Sequence, residues 1–77
     1  MSKHDDGVRL RHMLDAAQKI MKFAEGRNRV DLDTDEVLQL AVIRLLEVLG
    51  EAARGVSKSF RENHPEIEWE PITYIFI

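Results

Sequence analysis

The chain has 77 residues, with eleven Lys or Arg against fourteen Asp or Glu and no cysteine. That length allows one domain whose core buries only about 60% of the unfolded surface, so help from a second subunit is the default expectation. A disulfide framework and a thiolate metal site are excluded, and the polar start Met1-Ser2-Lys3-His4-Asp5-Asp6 with only short apolar runs beyond it argues against a signal peptide or a membrane span, which predicts a cytoplasmic protein.

Leu10, Met13, Leu14, Ala17, Ile20, Met21 and Ala24 recur at three- and four-residue steps, the spacing of one helical stripe. A first helix is predicted from Asp5 to Glu25, with Gly26 as the left-handed residue just past its end. Its opposite face carries His12, Asp15, Lys19 and Lys22, with Asp15 placed to pair with Lys19. Charge is uneven: residues 1–29 hold seven Lys or Arg and four acids, while residues 30–77 hold four and ten. A basic first helix is a possible phosphate contact, but beside an acidic second half it reads first as a solvated face.

A linker, Arg27 to Leu32, leads into Asp33-Thr34-Asp35-Glu36, where Asp33 and Glu36 form a plausible capping pair. A second long helix is predicted from Asp35 to Arg54. Val37, Leu38, Leu40, Ala41, Val42, Ile43, Leu45, Leu46, Val48, Leu49, Ala52 and Ala53 wrap most of its circumference, leaving Arg44, Glu47, Glu51 and Arg54 as a charged strip. A helix apolar on nearly every side is covered on several sides, and the first helix alone is not enough to cover it. Gly50, which costs about 1 kcal/mol relative to Ala inside a helix, stands near Ala52 and Ala53 and predicts a tight crossing with the first helix or with a second copy.

Gly55 and Ser57 break the chain, and Ser57 is placed to cap a short third helix ending before His64-Pro65. The closing run Ile72-Thr73-Tyr74-Ile75-Phe76-Ile77 is uncharged, β-branched and aromatic. Left exposed it is an aggregation hazard, so it is expected to dock on the bundle, to pair with another copy, or to reflect a shifted reading frame.

Few motifs carry chemistry. Asp31-x-Asp33-x-Asp35 starts like a calcium loop, but its sixth and twelfth positions are Glu36 and Val42, where such a loop needs Gly and Glu. His4, His12 and His64 are dispersed without a zinc motif. Neither a metal nor another cofactor is predicted. Arg61 and His64, three residues apart, are weak RNA-contact candidates: a His can act as general base and an Arg can hold charge developing on phosphate. The bland reading of this pair is a solvated turn.

Several segments together resemble one family. Arg11-His12-Met13-Leu14-Asp15-Ala16, Phe23-Ala24-Glu25-Gly26, the run Arg44 to Arg54, and His64-Pro65-Glu66-Ile67-x-Trp69 are similar, in order and spacing, to the HepT-like family of the HEPN superfamily. The resemblance covers residues 4–72. It implies an all-α helical bundle and a place beside a nucleotidyltransferase antitoxin. Complete relatives carry an Arg-x4-His-x-Tyr motif after the tryptophan; its Arg and His are implied in metal-independent RNA cleavage, and its Tyr is the residue the antitoxin modifies with AMP. By the family's usual spacing the Arg falls near Phe76, and no His or Tyr follows it in these residues. Tyr74 precedes the expected motif, so the modification site is not carried onto it.

The expectation is therefore one domain over residues 1–77, all-α: an antiparallel helical hairpin plus a short third helix, a HEPN-like bundle completed by dimerisation. Helix packing, within the chain or across the homodimer, centres on Leu46, Leu49, Gly50 and Ala53. The function expected is that of a HepT-like toxin–antitoxin component, C-terminally incomplete and without catalysis of its own. The alternative is a non-catalytic dimerisation or antitoxin-binding module.

Overall fold

A computed structural model describes residues 4–74. Five helices follow one another, α1 His4–Ala24, α2 Arg29–Thr34, α3 Glu36–Gly55, α4 Lys58–Asn63 and α5 Trp69–Thr73, with no strand among the described residues. The long helices α1 and α3 form the expected antiparallel hairpin and share the main interface; α5 and α2 each pack on α3. The whole measures 42 × 21 × 19 Å, a rod whose long sides stay near solvent.

Local chemistry sets the breaks. Gly26 takes a positive φ of 71° after α1, as its position predicts. The segment Arg27–Leu32, expected to be a linker, instead holds most of α2. Asn28 accepts a hydrogen bond from the Asp31 backbone N–H while the Asp31 carboxylate accepts from the Asn28 N–H, a reciprocal cap with Asn and Asp in the roles usually sought as Ser and Glu. The cap of α3 moves accordingly from Asp33 to Asp35, whose carboxylate accepts from the Leu38 N–H at 3.0 Å. Asp35 also pairs with Arg27 at 3.2 Å, closing the short α2 excursion back on its start. On α1, Asp15 pairs with Arg11, one turn before it, at 3.5 Å rather than with Lys19.

Ser57 caps α4 as predicted, accepting from the Phe60 N–H. Part of the closing apolar run forms α5, which the uncharged β-branched composition had concealed. Pro71 is its third residue, where the missing N–H would have had no partner within the helix. Ile75, Phe76 and Ile77 lie outside the described residues.

The core is built from small groups. Ala16 of α1 and Ala52 and Ala53 of α3 are buried, together with Leu38, Val56, Trp69 and Thr73, and Gly50 is buried as well. Small side chains let helix axes approach closely, so contact comes from backbone proximity rather than from large interlocking side chains. Trp69 is the exception in size: its indole Nε1–H donates to the His64 carbonyl at 2.9 Å and its ring meets Phe60 edge-on at 6.1 Å.

A long-range polar clamp ties the start of α1 to the turn between α3 and α4. The Asp6 carboxylate on α1 accepts from the Ser57 backbone N–H at 2.8 Å and from its hydroxyl at 2.7 Å. These bonds hold the Asp6 carboxyl below its ordinary value of 3.8. A depressed carboxyl pKa adds stability that is present above the unfolded value and is lost as pH falls through the folded one. Urea melts of wild type and Asp6→Asn from pH 6 down to pH 3 should therefore converge: wild type is the more stable at pH 6, and its margin shrinks below about pH 4. Parallel curves across that range would show that the clamp does not form in solution.

Candidate functional site

Two regions carry the residues that the sequence singled out. The first is the turn from α4 to α5. There the His64 Nδ1 lies 3.0 Å from the Glu66 carboxylate, and the imidazole stacks on Phe60 with centroids 4.4 Å apart. The hydrogen bond from His64 holds the Glu66 carboxyl below its ordinary value. Pro65 keeps His64 out of helical geometry, and the His64 carbonyl receives the Trp69 indole. The histidine is thus a hinge of the turn, held on three sides.

Arg61 takes a different direction. It lines an open cleft between α4 and α5, of about 400 Å³, with Lys58, Glu62, Trp69, Glu70, Thr73 and Tyr74; His64 is not part of that lining. The Arg61 Nε is buried without a hydrogen-bond partner. The structure therefore does not bring Arg61 and His64 together into a general base facing a phosphate-holding cation. Among the described residues, no group of three or more His, Cys, Asp or Glu is arranged to hold a metal ion, and no helix is long and apolar enough to cross a membrane.

The second region is α3. Gly50 and Ala53 are buried inside the subunit, and Leu46 and Leu49 are half-buried. The exposed apolar residues of this helix lie nearer its start: Val37 is 78% exposed, Leu40 61% and Ile43 43%. With Met21 and Phe23 at the end of α1, and Val30 and Leu32 of α2, they leave that end of the hairpin with unusual apolar exposure. The sequence carried the signal for this surface, since α3 is apolar nearly all round, but reading it required knowing which side α1 and α5 cover.

Farther along α3 the charged strip forms as the spacing predicts. Arg44 Nη1 lies 3.8 Å from both Glu47 and Glu51. Arg54 lines one shallow pocket with Arg44, Glu47 and Glu51, and its Nη1 donates to the Thr73 carbonyl at 2.8 Å, fixing the last turn of α5 against α3. This tie and the Asp6–Ser57 clamp had no sequence signal, because each joins residues distant in the chain.

The family model for the ribonuclease HepT-like family matches residues 13–75, from the third turn of α1 through the whole of α5. The chain is 33% identical over 70 residues to "Putative RNase MJ1380" of Methanocaldococcus jannaschii, a match covering 91% of this chain and 64% of that protein. It is 37% identical over 60 residues to "Probable ribonuclease HepT" of Thermococcus cleftensis, covering 78% of this chain and 54% of the relative. The chain thus spans roughly three-fifths of the length of these curated relatives. No solved structure matches it significantly.

Proposed function

The chain belongs to the ribonuclease HepT-like family, and from that premise we propose that it is the helical scaffold of a toxin–antitoxin component, paired with a nucleotidyltransferase antitoxin. The observation that carries this reading is the extent of the family match, which takes in most of α1 and every helix after it. The relatives' names supply the ribonuclease class; the antitoxin comes with the resemblance to the HepT-like family.

Within this reading, residues 1–77 hold the bundle and its contacts but not the chemistry. They contain no Arg-x4-His-x-Tyr, and Arg61 and His64 do not replace it, because they serve different surroundings. Two copies associate in the cytoplasm through α3, in keeping with the exposed Val37, Leu40 and Ile43 and with the marginal core of a chain this short. A second reading, a binding-only module that contacts the antitoxin, is favoured by the same exposed surface.

Two measurements test this. The purified chain, incubated with single-stranded RNA and a chelator, is expected to leave the RNA intact; cleavage that survives His64→Ala would overturn the non-catalytic reading. Tagged and co-expressed with the nucleotidyltransferase encoded beside it, the chain is expected to retain that protein through purification. Failure to do so, with the chain folded by circular dichroism, would remove the antitoxin assignment.

A further inference from the structure

The hairpin end opposite α4 and α5 holds an apolar pit that the subunit leaves open, while the closing run of the chain is itself apolar and uncharged. We propose that the pit takes Phe76 of a second copy, so that two copies exchange their closing residues Ile75-Phe76-Ile77. The inference rests on the association of copies proposed above, and adds to it a specific contact that each copy supplies to the other.

The pit lies between the end of α1, α2 and the start of α3, where Ala24, Leu32, Leu38 and Val42 line a volume of about 220 Å³. A dry apolar cavity of about 150 Å³ accepts benzene, so this one has room for a phenyl ring. Phe23 and Val30 leave further apolar surface at the same end. Arg27 and Arg29 complete the lining, each already paired with a carboxylate, Asp35 and Asp33. The site therefore offers little net attraction to an anion. A guanidinium carries several donors and makes only some of its bonds to one carboxylate, so both arginines can also donate to the backbone carbonyls of an uncharged segment.

Complementarity selects the occupant, since Phe76 is an aromatic flanked by two β-branched residues without charge. An aromatic anchor seated in an apolar pocket is the kind of contact that dominates an interface. Reach decides which copy supplies it. The run follows Tyr74, which is 61% exposed, and Thr73 before it is tied to Arg54. On α3, Val42 and Leu38 precede Arg54 by about 18 and 24 Å along the axis and lie about 120–160° around it. Residues 75–77 span about 10 Å even when fully extended. A copy's closing residues thus fall short of its own pit. A second copy laid alongside in the antiparallel sense brings its closing run to the pit and its pit to the closing run, and this reciprocal exchange closes as a two-fold dimer rather than a filament.

Sedimentation equilibrium on the 77-residue chain tests the exchange. Phe76→Asp removes the anchor, and Ala24→Trp fills the pit from an exposed position at the end of α1. Each is expected to weaken dimerisation at least about tenfold, with helicity by circular dichroism unchanged. Leu32→Trp, also at an exposed position lining the pit, repeats the test should Ala24→Trp lose helicity. Mixed one to one, the anchor and pit variants are expected to associate more tightly than either alone, because the Phe76 of the pit variant still fits the open pit of the anchor variant.

A mixture no tighter than its components would overturn the exchange. Wild-type affinity in both variants would also overturn it, while leaving the association of copies to another surface. A wild type that is monomeric at high concentration would remove the exchange and the association together, and would leave the pit to an apolar side chain of a different protein.

Discussion

Trp69→Ala is expected to cost about 3–5 kcal/mol, the range found when a large buried aromatic is truncated. That is a large share of the stability of a chain this size, about 4–12 kcal/mol by the usual per-residue scale. Trp69 is 8% exposed and is much the largest of the buried side chains; the rest of the core is mostly alanine. Its removal leaves a hole that small neighbours cannot fill. It also strips the His64 carbonyl of its indole donor at 2.9 Å and Phe60 of its edge-on partner. With these gone, α5 loses its largest buried anchor, and a five-residue helix does not persist without tertiary support.

Urea unfolding followed by far-ultraviolet circular dichroism separates the contributions. Trp69→Ala should shift the midpoint strongly and lower the starting helicity, while Trp69→Phe, which keeps a ring but not the N–H, should lose less, about 1–3 kcal/mol. A Trp69→Ala variant within about 1 kcal/mol of wild type would mean that α5 is not docked on α3 in solution.

The dependence on Trp69 explains how much of this fold could be read from the chain. The α1 stripe from Leu10 to Ala24, Gly26 at its end and Ser57 before α4 are local signals, each fixed by residues within a turn or two, and each predicts the observed boundary to within about two residues. The elements missed are those whose signal is weak or ambiguous. In α2 the reciprocal cap uses Asn28 and Asp31 in place of the more familiar Ser and Glu. In α5, Ile72 and Thr73 are β-branched, a composition that gave no helix signal, yet docking on α3 overrides that preference.

The candidate site was less legible for a related reason. Arg61 and His64 stand three residues apart in sequence, which suggests one face, but His64 leaves the helix and turns to Glu66 and Phe60, while Arg61 stays on α4 and lines the cleft toward α5. Likewise Leu46, Leu49, Gly50 and Ala53 are placed correctly on α3, but the pattern does not show which apolar side is covered within the subunit. Gly50 and Ala53 are covered; Val37 and Leu40 are not.

That difference supplies the second large expected effect. If two copies pair through the start of α3, the paired substitution Val37→Asp with Leu40→Asp should convert a dimer of about twice 8.9 kDa into a monomer. Because Val37 and Leu40 are 78% and 61% exposed, these changes remove little packing within the subunit, and exposed substitutions of this kind usually alter stability by about 0.5 kcal/mol or less. A two-fold interface presents each substitution twice, so four carboxylates would meet where four apolar side chains had been buried. Desolvating those charges disfavours association far more than it disfavours the folded monomer.

Sedimentation equilibrium and circular dichroism on the same samples give the answer. A monomer of unchanged helicity would place the interface on the exposed start of α3 and show that the hairpin survives alone. A variant that stays dimeric would move the contact elsewhere on the rod, and a wild type already monomeric at high concentration would leave this apolar surface to the antitoxin, as the binding-module reading requires.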